Sequence, residues 1–515
     1  MPEPISFEEP ELSLYAFEEQ TSARPDADEP FRVVVLGDFS ARASRDADVS
    51  AKSPRRLSEI DRDNFDEVLR SLGVGLRLSL AEGGPAVTLG FDELEDFHPD
   101  RIYERLDIFR KLRQTRRRLD DPSTFEAAAA EIRGWAGTAD EDAQGIRHNM
   151  AEQATAPAEP SSRDLIGEML SQSKGVRPAK TNAEGADEFG DFLREVIRPH
   201  LVSTDEAQKA ELTGAVDAAA GQLMRAVLHH PGFQAVEAAW RGLHFLVMRT
   251  ETGTELKLYL LDYTREELSS ALDASGGGAL AKLLADESNA LGGPVSLVAC
   301  DYVFGATHDD AELLTRVARL AGRTRAPFIA EAGASLFGCE SLAETPDPDD
   351  WREGAGDEKG AGAWAELRRM DEARYVGLAA PRFLLRLPYG AETEPAERFE
   401  FEEFEEGEPR HADYLWGNPA FVCAQLLAEA FARSGWAMRS GEAKEIEGLP
   451  LHVYRSQGES RVKPCAEVSL TERAAERMMD RGVMPLVSYR DSDTVRVARF
   501  QSIADPPTNL SGRWG

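Results

Sequence analysis

The segment LKLYLLDYTREELSSALDA, residues 256–274, changes its hydrophobic pattern halfway along. Its first half is an apolar run of strand length that ends at Asp262. Its second half starts with charged residues and continues with leucines among polar residues. A short apolar run predicts a buried strand, whereas spaced apolar residues with an acidic start predict a helix. The segment therefore predicts one strand followed by one helix.

The same alternation continues toward the C terminus. PVSLVACDYVF (294–304) predicts a strand, DDAELLTRVARLAGRTR (309–325) a helix, and APFIAEA (326–332) another strand. GNPAFVCAQLLAEAFARSGW (417–436) predicts a helix, and residues 474–502 predict a helix, a strand and a hairpin. Strands interleaved with helices are typical of α/β layers. We therefore expect an α/β fold built from mixed sheets with packed helices.

The N-terminal third is similarly mixed. FRVVVLGDFSAR (31–42) predicts a buried strand running into a loop, and DRDNFDEVLRSL (61–72) predicts a helix. VGLRLSL and PAVTLGF (74–91) predict paired strands, and residues 92–119 predict one or two helices. A strand followed by Gly37 and Asp38 also fits a phosphate site, but a single glycine is a weak signal and packing is the simpler interpretation.

Composition suggests where the chain divides. Residues 1–30 are acidic and contain proline, which predicts a loose arm. Residues 137–163 lack an apolar period and are rich in Ala, Glu, Pro and Ser, as expected of a linker. A short amphipathic segment, DLIGEMLSQS (164–173), follows. We therefore expect two modules, at residues 31–136 and 188–515, joined by a linker with a short helix at 137–187.

Length and charge restrict the class of protein. A chain of 515 residues is too long for one ordinary core. Its formal net charge of −33 argues against nucleic acid and anionic membranes as ligands, and copies of the chain repel unless they pair charges locally. The four cysteines form no CxxC and predict buried free thiols. With neither a signal peptide nor a spanning apolar run, the sequence predicts a cytoplasmic protein without membrane insertion.

Three of the nine histidines lie in LHHPGFQAVEAAWRGLHFLV, residues 228–247. Apolar residues after Pro231 recur at steps of three and four, which predicts an amphipathic helix capped by the pair His229 and His230. On such a helix His230 and His244 would lie about 21 Å apart, too far to share a metal ion. Because His and Cys are not clustered elsewhere, we expect no metal and no cofactor.

The sequence lacks common motifs of catalysis, namely a Walker A loop, a GxSxG elbow and a GxGxxG turn after a strand. FEFEEFEEGE (399–408) contains carboxylates that could serve as a general acid and base. Its alternation of Phe and Glu instead favours an exposed edge strand, whose charges discourage pairing with strands of other molecules. Arg374, Arg382 and Arg386 lie in or near an apolar segment, where arginines usually pair with carboxylates at an interface. We expect no catalytic residue and no enzyme.

Two segments carry anchors typical of protein interfaces, WRGLHFLV (240–247) and YLWGNPAF (414–421). Together with the arginines of the apolar segment they supply the candidate interface residues Trp240, Arg241, Arg382, Arg386, Trp416 and Asn418. The residues themselves therefore indicate a large acidic α/β protein that assembles with other proteins.

Longer stretches resemble a known family. PFRVVVLGDFSAR, DRDNFDEVLRSL and LEDFHPDRIYERLDIFRKLRQTRRRL are similar to the small subunit of the type VI secretion contractile sheath. LHHPGFQAVEAAWRGLHFLV, CDYVFGATHDDAELL, APFIAEAG, ARYVGLAAPRFLLRLPYG, YLWGNPAF and KPCAEVSLTERAAERMMDRGVMPLVSY are similar to its large subunit. In order, they cover roughly residues 30–133 and 188–505, which implies sheath-type sheets in two fused modules.

The resemblance implies a structural function. Small and large subunits would form a unit, units would form six-membered rings, and rings would stack around inner-tube hexamers above a baseplate. Contraction would then drive the inner tube outward. An AAA+ unfoldase would recycle the contracted form through a helix, for which Leu165, Ile166, Met169 and Leu170 are the candidates.

Three departures from the family pattern keep alternatives open. The two modules share one polypeptide, residues 31–136 leave little room for a trailing strand, and the large module is expected to lack its usual C-terminal segment after residue 505. Those segments supply strands between neighbouring subunits in the family. The alternatives are therefore a non-contractile paralogue acting as a ring, cap or adaptor, and an unrecognised enzyme. Alone, the chain is expected to form monomers, small oligomers or single rings at low salt, and long tubes only when another sheath protein supplies the missing strands.

Overall fold

The structure is a computed structural model that describes residues 25–44, 57–80, 86–132, 208–285, 292–352, 358–404 and 409–514. Its strands, in chain order, are β1 Phe31–Gly37, β2 Ser58–Ile60, β3 Val74–Ser79, β4 Ala86–Phe91, β5 Leu256–Asp262, β6 Leu297–Phe304, β7 Phe328–Ala332, β8 Val376–Ala380, β9 Phe383–Leu384, β10 Trp416–Gly417, β11 Glu445–Ile446, β12 His452–Ser456, β13 Glu459–Lys463, β14 Val483–Ser488 and β15 Val495–Val497.

The α-helices surround these strands. They are α1 Phe65–Leu72, α2 Pro99–Arg105, α3 Asp107–Asp120, α4 Gln208–Leu228, α5 Pro231–Arg249, α6 Arg265–Ala271, α7 Ala279–Ala285, α8 His308–Thr324, α9 Glu358–Arg368, α10 Pro419–Ser434 and α11 Glu472–Asp480. The expected succession of strand and helix after residue 256 is present, and the α/β fold is confirmed.

One mixed sheet of nine strands organises the molecule, in the order β11-β15-β14-β8-β7-β6-β1-β5-β2. Its six central strands, from β5 to β14, are parallel, and the strands toward both edges are antiparallel. Parallel strands need covering on both faces, which explains why their sequences are continuously apolar rather than alternating.

Side-chain alternation along β1 separates two cores. Val33 and Val35 pack on one face with side chains from α4, α5 and α10. Val34 and Leu36 pack on the other face with side chains from α6, α8, α9 and α11. Because neighbouring residues of a strand point to opposite faces, the run VVVL contributes to both cores at once.

The strand β1 belongs to the predicted N-terminal module but lies inside the sheet of the C-terminal one. It pairs with β5 from Phe31 to Gly37 and with β6 from Val33 to Leu36. The strand β2 extends the same sheet beyond β5. Residues 31–60 therefore complete a sheet whose other strands come from residues 256–497. The boundaries given above for the two modules stay a prediction.

Two smaller predictions from local sequence are confirmed and one is wrong. The strands β3 and β4 form the expected antiparallel pair, and β14 with β15 forms the expected hairpin. The segment FEFEEF is not an edge strand: residues 399–404 have no strand structure, and Phe401 and Glu403 are buried. Glu403 can be buried because an arginine pairs with its carboxylate. The alternation of Phe and Glu in the sequence does not reveal this pairing.

The described residues contain no helix that is both long and apolar enough to span a membrane. Three predicted features lie outside the described residues: the linker 137–187, most of the acidic arm, and the candidate unfoldase helix with Leu165, Ile166, Met169 and Leu170.

The end of β1, considered above as a phosphate site, is tightly packed. A Cβ added at Gly37 would come 3.0 Å from Asp301. Asp38 accepts hydrogen bonds from the backbone of Arg42 and Ala43, so this strand end is packed and capped.

Candidate functional site

The candidate residues meet where helix α5 and the segment 383–421 come together. Trp240 is fully buried on α5, and its Nε1–H donates to the carbonyl of Phe39 at 2.8 Å. The rings of Phe39 and Phe65 pack edge-on against its indole at centroid distances of 5.5 and 5.6 Å. Because Phe39 and Phe65 belong to the predicted N-terminal module, Trp240 lies at the contact between the two predicted modules.

A buried arginine links α5 to the segment that follows β9. Arg386 Nε donates to Glu237 Oε1 at 2.8 Å, and its Nη1 donates to Glu403 Oε2 at 2.7 Å. Arg241 Nε donates to the same Glu237 oxygen at 2.7 Å, and its Nη2 donates to the hydroxyl of Tyr389 at 2.9 Å. Two arginines and two carboxylates therefore form a connected network, with Tyr389 beneath the Arg386 guanidinium.

The electrostatics of this arginine cluster follow from burial and pairing. Burial alone would raise the pKa of Glu403, but Arg386 and His229 outweigh it and lower that pKa to about 2. Burial likewise opposes the charge on Arg386, yet Glu237 and Glu403 keep its pKa well above the ordinary value. Removing one member would leave an uncompensated charge, so the network strongly favours a single arrangement of these elements.

The two adjacent histidines have different surroundings. His230 is the N-cap of α5, and its Nδ1 accepts from the N–H of Gly232 at 3.1 Å, as the capping interpretation predicts. The prediction that His229 also caps the helix is wrong: His229 lies between two carboxylates, with Nε2 3.5 Å from Glu403 and Nδ1 3.6 Å from Asp413. His244 packs its ring against Phe65. The histidines therefore serve packing, capping and charge pairing.

A second polar cluster surrounds Trp416. Arg382 donates to Glu467 from Nη2 at 2.6 Å, and Glu467 also lies 3.1 Å from His411 Nε2. The His411 ring stacks on the indole of Trp416, which donates to the His411 carbonyl at 3.0 Å. Burial opposes the charge of Glu467, but His411 and Arg382 keep its pKa well below the ordinary range.

Asn418 has a local role in starting α10. Its side-chain oxygen accepts from the N–H of Ala420 at 2.9 Å, and Pro419 occupies the first helical position. An asparagine cap followed by proline is a strong helix start. The expectation that Arg382 and Arg386 pair with carboxylates is confirmed, whereas the Arg374 guanidinium lies over the ring of Tyr375.

The structure also shows polar partners whose pairing the sequence did not predict. Glu237, Glu403, Glu467 and Tyr389 complete the two clusters. For Glu237 the sequence does contain a signal, because Glu237 and Arg241 are four residues apart on one predicted helix, a spacing at which opposite charges pair. Glu403 and Glu467 are distant in sequence from their arginines, so spacing carries no such signal.

All six candidate interface residues make their contacts inside the chain, and contact with another subunit stays a prediction. In both clusters the charged groups are already paired with each other. Within the residues that the structure describes, no group of three or more His, Cys, Asp or Glu side chains is placed to hold a metal ion. This arrangement suits the joining of separate elements within one chain.

Sequence comparisons place this architecture among known proteins. Residues 210–504 match the family model described as VipB, EvpB/VC_A0108, tail sheath N-terminal domain. Residues 15–129 match the model described as Type VI secretion system, VipA, VC_A0107 or Hcp2. Over 318 residues the chain is 34% identical to the type VI secretion system sheath protein TssC1 of Pseudomonas aeruginosa. That alignment covers 59% of this chain and 64% of TssC1, so the chain spans less than two thirds of its relative.

Proposed function

The chain belongs to the VipB tail sheath family, and from that premise we propose that it is a structural subunit of a type VI secretion contractile sheath. A match to the VipA family precedes the VipB match in the same polypeptide. The observation that carries the proposal is the position of β1, which pairs on both sides with strands of the VipB-like region. One chain would therefore supply both sheath components at a fixed ratio of one to one.

Assembly with other sheath subunits is the activity that this function requires. Inner-tube hexamers would occupy the lumen, a baseplate would hold one end, and an AAA+ unfoldase would recycle contracted subunits. The protein would act in the cytoplasm, without enzymatic turnover. The buried arginine cluster supports such a role because Arg386 ties its segment to Glu237 of α5 through two charge-assisted hydrogen bonds. Two more bonds from Arg386 to Glu403 hold the segment 383–403 together.

Electron microscopy of the purified full-length chain tests the proposal. At low ionic strength we expect ring-shaped or tubular particles, seen by negative stain and accompanied by fast-sedimenting species in the ultracentrifuge. Mixing with a cognate inner-tube protein should increase the length or number of these particles. A chain that stays monomeric at all salt concentrations, with and without an inner-tube protein, would contradict the proposal.

A further inference from the structure

The strands β12 and β13 form a hairpin that is separate from the nine-stranded sheet. Their pairing is antiparallel from His452 opposite Lys463 to Ser456 opposite Glu459. Gln457 and Gly458 form the two-residue turn with φ angles of 52° and 82°. Positive φ at both turn positions matches the right-handed twist of the strands and fixes their register.

The register divides the hairpin into two faces. His452, Tyr454 and Ser456 point inward, where His452 and Ser456 are buried. Val453 and Arg455 point the other way and are exposed, opposite Val462 and Ser460. Val453 is 53% exposed, the largest exposure of any large hydrophobic side chain among the described residues. The outward face therefore presents an aliphatic side chain beside a guanidinium.

The inward face fixes the hairpin to the rest of the molecule. His452 Nδ1 lies 2.8 Å from the hydroxyl of Tyr414, and Lys463 Nζ lies 3.1 Å from His411 Nδ1. Cys465, just after β13, donates from Sγ to the carbonyl of Ser492 at 3.4 Å. Since both strands are anchored at their base, the outward face has a defined orientation, as a docking surface needs.

Charge distinguishes this hairpin from the remainder of the chain. Arg455 is the one charged residue on the outward face, and residues 452–463 as a whole contain three cations against the single acidic residue Glu459, whereas the whole chain carries −33. Cations on exposed strands can serve merely to prevent stray edge pairing. An exposed valine beside the cation does not fit that protective role, because an apolar side chain favours contact with other proteins. Exposed apolar residues together with arginine are typical of protein interfaces.

We propose that the outward face of the β12–β13 hairpin, centred on Val453 and Arg455, docks against an acidic surface of a second copy of this chain. The inference rests on the proposed function, because it assigns a contact surface to the self-assembly described above. A second copy is the occupant that charge favours: copies with a net charge of −33 approach each other only where opposite charges meet.

Charge reversal on two comparable hairpins tests the inference. Arg455→Glu should weaken self-association of the full-length chain roughly five- to tenfold at low salt, measured as the apparent dissociation constant by sedimentation. Arg77→Glu is the matched control, because Arg77 is exposed on the antiparallel strand β3 and its reversal changes the net charge equally. High salt should reduce the difference between Arg455→Glu and the wild type.

The outcomes separate this inference from the proposed function. If the wild type assembles and Arg455→Glu assembles equally well, the hairpin proposal is overturned while the proposed function stands. If the wild type never self-associates, both are overturned. Equal weakening by Arg455→Glu and Arg77→Glu would show a general charge effect and also overturn the hairpin proposal.

Photo-crosslinking identifies the occupant. A photoreactive amino acid at position 453, in a mixture of unlabelled and ¹⁵N-labelled copies, should give crosslinks between two copies that map to acidic segments. Crosslinks found exclusively within one copy would overturn the proposal. So would efficient crosslinking in cells to a different protein with none between copies.

Discussion

The carboxylate of Glu403 couples the stability of the fold to pH. Its folded pKa is about 2, against an ordinary value of 4.5, because Arg386 and His229 overcome the opposing effect of burial. Between these two values the unfolded chain binds more protons than the folded chain. The free energy of unfolding should therefore fall as pH drops from about 5 to 2, by up to about 3 kcal/mol from this one group.

Urea unfolding at pH 5 and pH 3 measures this effect. Glu403→Gln should lower stability at pH 5, since Arg386 loses a charged partner, and should show a smaller further loss at pH 3 than the wild type. Glu476→Gln removes an exposed carboxylate and should follow the wild-type pH dependence. An unchanged pH dependence in Glu403→Gln would refute the role assigned to this carboxylate.

Trp240 is buried in the core and also lies at the contact between the two predicted modules. Trp240→Ala should lower the free energy of unfolding by about 3–5 kcal/mol, because it leaves a cavity and removes the hydrogen bond to Phe39. Tyr489→Ala is the comparison, since Tyr489 is 43% exposed and its loss should change stability little. A wild-type melting temperature with impaired assembly would instead place Trp240 at a contact between subunits.

At the scale of elements, the contact between α5 and α10 depends on a glycine. An added Cβ at Gly242 would run into the ring of Phe421, whereas nothing lies within 4 Å of a Cβ at Gly214 on α4. Gly242→Ala should therefore destabilise the chain by about 1–3 kcal/mol through overpacking. Gly214→Ala should stabilise it by about 0.5–1 kcal/mol, because alanine favours helix. Thermal unfolding of both variants is the measurement, and equal shifts would contradict the packing described.

Local sequence predicted elements better than it predicted their partners. The run VVVL and the helix after Pro231 carry strong periodic and capping signals, so both were identified from the residues. The position of β1 between β5 and β6 depends on contacts between residues more than 200 positions apart, which local periodicity does not encode. Glu403 was misassigned to an exposed strand for a different reason: its partner Arg386 is only 17 residues away, but alternation does not reveal that the two side chains pair.

At the scale of the whole molecule, the family resemblance supplied what local patterns could not. It indicated that the N-terminal and C-terminal regions work as partners, and the matches to VipA and VipB models agree. The structure adds the physical form of that partnership, a single sheet to which both regions contribute strands. Joining the regions in one chain keeps them at high effective concentration, which favours their pairing.

Cleavage of the linker tests this central claim most directly. A site for a specific protease would be introduced between residues 150 and 160, and the cut chain would be run on gel filtration in high salt, where contacts between copies are screened. We predict that both fragments elute together with the mass of one intact chain and separate only in denaturant, because β1 is hydrogen-bonded on both sides. Two fragments that elute separately as folded proteins under native conditions would contradict the account.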